Sequence, residues 1–353
     1  MRFGPVPLAL AEGAILAHSV TLAGGRLRKG KVLTRDDVAA LSAAGMTSVI
    51  VARLDGGDVH EDAAALRLAQ ALVPDPGAAG LRLVPVGTGR VNVMADGPGV
   101  MQIDARAVHA VNAVDPMMTV ATVPEWQRID AGGMVATVKI IAYAVPGAAL
   151  ERACAAAADT EAAAALILRR PVVRQAVLIQ TVVAGAGDTE NSGGSDETGG
   201  KGHRVTAARL DRLGVALADP ASAAHRVVDL AGALRRALGQ GAELVLILTG
   251  SATSDPRDVA PEAVRAAGGE VSHFGMPVDP GNLLFFGHIG VVPVIGLPGC
   301  AKSPALNGAD WVLERIACGV AVSSADIMAM GVGGLLKEIP SRPQPREKPR
   351  AQG

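Results

Sequence analysis

The chain has 353 residues with 33 basic and 34 acidic side chains, and a net charge of −1 excludes nucleic acid or a membrane as a partner held by bulk electrostatics. That length suits two or three domains, and with 49% hydrophobic but only 2% aromatic residues their interiors must be built from Val, Leu, Ile and Ala. Cys154, Cys300 and Cys318 are too scattered for a disulfide framework or a zinc site, which points to a reducing cytoplasm, and no apolar run reaches the length of a membrane span.

The start of the chain reads against a signal peptide, because Pro5, Pro7 and Glu12 interrupt its apolar residues. Over residues 1–75, Gly24 to Gly30 is a basic turn carrying Arg26, Arg28 and Lys29, with Lys31 just beyond it. Its default reading is solvated surface, with an anionic partner as the alternative. Thr34 with Asp36 and Asp37 predicts a capped helix that ends at Gly45; Ser48 to Ala52 predicts a strand and Asp62 to Leu72 an Ala-rich helix. Two αβ crossovers in a small region are expected. Residues 76–147 are rich in glycine and short apolar runs, which fits a compact β-rich module, a barrel being one form of it. Thr137, Lys139, Ile141 and Tyr143 share one strand face. Gly87-Thr-Gly-Arg90 lacks the lysine and following helix that give a phosphate loop its meaning. Ala148 to Leu168 predicts one connecting helix, ended by Arg169-Arg170-Pro171.

From residue 171 the elements alternate: strand 176–183, helix 205–213, short strand 225–228, and a helix capped by Asp229 that runs to Gln240. Strand Leu244-Val-Leu-Ile-Leu248 follows. Alternation of this kind predicts a mostly parallel sheet covered on both faces, with ligands beyond the carboxyl ends of its strands. The long loop 185–203 leaves one such end and is either functional or disordered. The tail 337–353 is rich in Pro and Arg and is expected to be disordered.

Two segments carry the chemistry. The strand 244–248 empties into Thr249, Gly250, Ser251, Ala252, Thr253, Ser254 and Asp255, with Asp258 near the start of the next helix. Later, Val292 to Leu297 leads into Pro298, Gly299, Cys300, Ala301, Lys302 and Ser303, with Pro304 expected to open a helix and Ser303 to cap it. Small residues between a strand and a helix let backbone N–H groups face an anion, and the helix dipole favours negative charge there. The bland alternative for each is a tight turn. Two of them suggest a two-walled site for a phosphorylated ligand.

At these residues the chain resembles the molybdopterin-binding family of molybdenum-cofactor biosynthesis proteins, whose pattern is Thr-Gly-Gly-x-Ser-x-Gly-Asp-x-Asp after a strand, a Pro-Gly-Lys-Pro hairpin, and a Gly-Leu-Pro-Gly-Asn-Pro-x-Ser loop. Thr249 to Asp258, Met276 to Asn282 with Phe285-Phe286-Gly287, and Gly296 to Ser303 match in that order. Met134 to Ile141 and Met330 to Leu336 fit a bacterial subgroup often fused to a molybdenum-cofactor nucleotidyltransferase. The resemblance implies an α/β fold, with a three-layer, mostly parallel sheet over 171–336. Ahead of it would stand an N-terminal α+β region, 1–75 and 76–170, that contains the β-rich module and shapes the opening or the subunit contact.

It further implies molybdopterin or its nucleotide form as ligand, a nucleotidyltransferase as partner, and a homo-oligomer. Thr249 to Ser254, Gly281, Asn282, Pro298, Gly299, Cys300, Lys302 and Ser303 would line the cofactor. Asp255 and Asp258 would be catalytic, and Asp188 and Asp258 would hold a metal such as magnesium, with molybdate as a further component. This chain departs from the pattern where Pro256 replaces the first acid, Asn282 the hairpin lysine, and Cys300-Ala301 the Asn-Pro pair. Backbone binding survives those changes; metal-assisted chemistry needs placed carboxylates. Three readings stay open: a carrier that presents the pterin, a molybdotransferase-like enzyme inserting molybdenum into adenylylated molybdopterin, and an unrelated small-phosphate binder. The bland alternatives are a helix cap for Asp258 and a solvated cation for Lys302, while Cys300 reads first as a small loop residue, Asp279 as a turn residue, and His273 and His288 as surface or half-buried histidines.

Overall fold

A computed structural model describes residues 1–183 and 200–336; Asp188, most of the 185–203 loop and the tail from 337 lie outside the described residues. The chain divides into two compact units, 1–97 with 101–168, and 98–100 with the chain from 169 onward. Among the described residues no helix is long and apolar enough to cross a membrane.

The first unit begins with β1 (Arg2–Pro7), β2 (Ile15–Leu16), the hairpin β3 (Val20–Leu22) and β4 (Gly25–Leu27), α1 (Arg35–Ala43), β5 (Ser48–Arg53), β6 (Asp58–His60) and α2 (Glu61–Leu72). Thr34 caps α1 as expected: its hydroxyl accepts the Asp37 N–H, and the Asp37 carboxylate accepts the Thr34 N–H at 3.0 Å. Gly45, at φ +81°, ends the helix because only glycine adopts that backbone without strain. The expected αβ crossovers are not formed. β5 pairs antiparallel with both β1 and β2, so Val49 and Val51 meet Leu8, Leu16 and Leu41 in a small core of their own.

The chain continues through β7 (Leu81–Gly87), β8 (Arg90–Ala95), β9 (Gly99–Ile103), α3 (Ala105–Asn112), β10 (Met118–Thr122), β11 (Arg128–Ile129), β12 (Met134–Ile140), β13 (Ala144–Pro146), α4 (Gly147–Ala158) and β14 (Leu166–Arg169). Among the described residues these strands form no closed barrel: β10-β12-β8-β7 is an antiparallel sheet with β10 and β7 at its edges, and β11-β9-β14 is a second sheet. Val138 and Ile140 are buried while Thr137 and Lys139 stay half-exposed, which is the period-two pattern of a strand covered on one face. Leu68 and Leu72 of α2 and Leu150 and Ala153 of α4 fill that core. The single helix expected over 148–168 stops ten residues early. Arg106 takes both the carboxylate and the carbonyl of Asp159 at 2.9 Å, and Leu166 and Leu168 enter the core from a strand.

The second unit contains β15 (Gln175–Val182), α5 (Gly200–Asp211), β16 (Ala216–Leu217), β17 (Ala221–Ala224), α6 (Val227–Gly239), β18 (Leu244–Leu248), α7 (Val259–Ala266), β19 (Glu270–Phe274), β20 (Phe285–Ile289), β21 (Val292–Leu297), α8 (Gly308–Ala317) and α9 (Ser324–Met328). Its strands form one sheet in the order β16-β15-β18-β21-β20-β19, with β17 also on β15. β16, β17 and β18 run parallel to β15, and β21 runs parallel to β18; β20 and β19 are antiparallel.

Alternate residues of these strands face opposite ways. Val177, Ile179, Val245, Ile247 and Val294 pack against α6 and α7, whereas Leu178, Leu246 and Ile295 are as deeply buried on the other side. α5 covers part of that second side, where a Cβ on Gly202 would stand 2.6 Å from Leu248. The strand expected at 225–228 lies four residues earlier as β17, because Ala224 pairs with Val182. Asp229 does not cap α6; that position is Arg226, whose guanidinium Asp229 accepts.

Candidate functional site

Strand register decides which loops share a neighbourhood. Gln180 of β15 pairs with Leu248 of β18, and Leu248 pairs with Leu297 of β21, all parallel. β20 runs the other way, with Phe285 opposite Gly296. The turns starting at Thr249 and Pro298 therefore leave the same edge of the sheet, and the β19–β20 connection carrying Gly281 and Asn282 enters at that edge. The two turns and the hairpin read from the sequence converge at the carboxyl ends of the parallel strands.

The first turn is anchored from below and open above. Thr249 and Thr253 are buried with their hydroxyls 3.3 Å apart, while Gly250, Ser251, Ala252 and Ser254 are exposed. Gly250 donates its N–H to the Thr181 hydroxyl at 2.9 Å, and that hydroxyl pairs with His225 Nδ1 at 2.8 Å. Asp258 caps α7, accepting the N–H of Val259 at 2.7 Å and of Ser254 at 3.2 Å on its two oxygens. Asp255 accepts the N–H of Arg257 at 2.7 Å. Both carboxylates thus shape the entry to α7. Among the described residues no group of three or more His, Cys, Asp and Glu side chains is arranged to hold a metal ion.

The second turn folds into a short 3-10 helix, Gly299–Lys302, after buried Pro298. The expected helix at Pro304 begins instead at Gly308, capped by Asn307 in a reciprocal box with Asp310, and Ser303 ends the 3-10 turn rather than starting a helix. Gly299 is exposed with open space around it; Cys300 and Lys302 are half-buried. Burial pushes the Lys302 ammonium below the ordinary lysine range. Cys300 Sγ accepts from Asn307 Nδ2 at 3.0 Å. Gly308 donates to Pro280 O at 2.8 Å, and a Cβ on Gly281 would lie 2.9 Å from Gly308 N. Asn307 and Gly308 therefore join the hairpin to the second turn. Asn282 is exposed and donates to Met276 O at 3.3 Å.

The sequence reading did not single out Thr181, His225, Arg209, Asn307 or Asp310, which hold these turns. Arg209 falls in the buried stripe of α5 with Thr206 and Leu210, a spacing at which a cation is unusual, and Asn307-Gly-Ala-Asp310 is a capping pattern. His273, expected at or near the surface, is buried with Nδ1 on Ser324 Oγ at 2.7 Å; His288 is exposed. In the first unit a concavity of about 300 Å³ is lined by Gln102, Asp104, Arg106, Thr160 and Glu161. Asp104 there caps α3, and its carboxyl is held below the usual range chiefly by the Ala107 N–H.

Residues 5–53 match a domain of unknown function, DUF8806. No curated protein matches the chain. Among solved structures it is similar to the molybdopterin biosynthesis MoeA protein from Pyrococcus horikosii, at 14% identity and a TM-score of 0.29, over 90% of this chain and 75% of that one. A molybdopterin biosynthesis protein from Mycobacterium abscessus is 17% identical at a TM-score of 0.28, over 41% of this chain and 92% of that one. Molybdenum cofactor biosynthesis protein B is 15% identical at 0.27, over 41% and 88%. These structural neighbours are molybdenum-cofactor biosynthesis proteins, and the likeness is coarse.

Proposed function

We propose that the second unit binds the phosphate of a pyranopterin, molybdopterin or its nucleotide form, and presents it for cofactor maturation or nucleotide attachment. The observation that carries this reading is the shared register of Leu248 and Leu297, which brings both small-residue turns and the hairpin to one sheet edge. Exposed Gly250, Ser251 and Gly299 let a ligand approach the backbone closely, and half-buried Lys302 supplies a countercharge. That combination fits a phosphate monoester better than a free metal ion. The three-layer, mostly parallel architecture and the implied nucleotidyltransferase partner belong to the same reading.

Carriage is favoured over metal-assisted molybdenum insertion by one observation. Each oxygen of Asp258 accepts one backbone N–H and Asp255 accepts another in the same turn, which accounts for both carboxylates structurally without calling on a metal. The carboxylates act here as a cap and a turn, so no magnesium-dependent step is assigned to them.

The test is to purify the protein from a host that makes the pterin, oxidise the extract and measure pterin fluorescence. Gly299→Asp is the decisive variant, because a Cβ there meets nothing within 4 Å and the change adds charge without disturbing packing. Loss of at least tenfold of the pterin signal at unchanged melting temperature is expected. A wild-type protein without pterin, or a G299D variant that carries as much as wild type, ends the proposal.

A further inference from the structure

The second turn is held by one cation that sequence reading passed over. The Arg209 side chain, only 14% exposed on α5, donates Nε to Asp310 Oδ1. It also donates Nη1 to Ala301 O at 2.7 Å, and Nη2 to Ser303 O at 2.7 Å and Ala305 O at 3.3 Å. A guanidinium has about five N–H donors, and most of these are now committed to one loop. Asp310 relays the contact: its other oxygen accepts the Asn307 N–H at 2.8 Å, and Asn307 reaches Cys300 Sγ at 3.0 Å.

We propose that Arg209 is the positioning residue of the anion-binding turn 298–303. It draws the turn's carbonyls inward so that Lys302, not Arg209 itself, meets the ligand, an inference that rests on the function proposed above. In a planar trans peptide the C=O and N–H point opposite ways. Fixing the Ala301 carbonyl on the guanidinium therefore sets the following amide, that of Lys302, away from it. Lysine cannot substitute, because its ammonium is a point charge that cannot span Asp310 and three carbonyls in a fixed fork.

The experiment compares the full chain with Arg209→Lys, which keeps the charge beside Asp310. Iodoacetamide labelling of Cys300 at pH 8, read by peptide mass spectrometry, reports the turn; calorimetric titration with inorganic phosphate reports binding. Cys318 serves as the internal control, since burial pushes its thiol up to about 12. In R209K, Cys300 labelling is expected to rise at least tenfold and phosphate affinity to fall at least tenfold, with Cys318 labelling unchanged, at a temperature well below a melting transition that the lost contacts lower. Methylguanidinium added to Arg209→Gly is expected to restore slow labelling.

Should R209K unfold, Asp310→Asn must show the same rise at Cys300. Unchanged Cys300 labelling in a folded R209K or D310N overturns the positioning role. Faster labelling in R209K, with a wild-type protein that binds neither phosphate nor pterin, supports the positioning role while removing the proposed function.

Discussion

At Gly250 the absent side chain is a requirement of the local backbone. A Cβ there would stand 2.6 Å from the Thr181 carbonyl, whereas at Gly299, in the second turn, it would meet nothing within 4 Å. Gly250→Ala is therefore expected to cost about 1–3 kcal/mol through forced displacement of the strand end, and Gly299→Ala to stay within about 0.5 kcal/mol of wild type. Urea unfolding of both variants checks this; equal stabilities would mean the first turn yields freely. The glycines were readable from the sequence because a turn between a strand and a helix is a local matter. So was Thr34 with Asp37, three residues apart. Arg209 and Asp310 were not, since they are 101 residues apart and nothing near either one announces the other. Thr181 and Gly250, 69 residues apart, were hidden in the same way.

The strand pair β20 and β21 shows how a chain poor in aromatics seats its few rings. Phe285 lies opposite Gly296, and a Cβ on Gly296 would overlap the ring at 1.9 Å. The ring thus packs across a bare backbone, a known way of covering a glycine in a sheet. Gly296→Ala is expected to destabilise by about 1–3 kcal/mol or more, and Phe285→Leu in the same chain to recover part of the loss. A double-mutant cycle measures this, with a coupling of about 0.5–3 kcal/mol expected for residues in contact; additive effects would refute the packing account. Elements were legible where local pattern and tertiary pairing agree, as in β18 and α1. They were misread where pairing overrides composition: Ala221–Ala224 has little strand propensity but lies in register with β15, and the alanines after Asp159 do not continue α4.

Two compact units in one chain make a single unfolding transition an unsafe expectation for the whole molecule. A ligand held by the second unit alone should raise only that unit's transition, by about 2.7 kcal/mol at a hundredfold excess over Kd. Calorimetry with and without pterin or phosphate checks this; a uniform shift of all transitions would place binding elsewhere. The chain also brings its own optical probe. Of its two tryptophans, Trp126 belongs to the first unit and Trp311 to α8, a turn beyond the cap at Asn307. Replacing Trp126 with phenylalanine leaves one indole emitter, in the helix that follows the second turn, so the response of the second unit to phosphate or pterin is readable in its colour and lifetime without any attached dye.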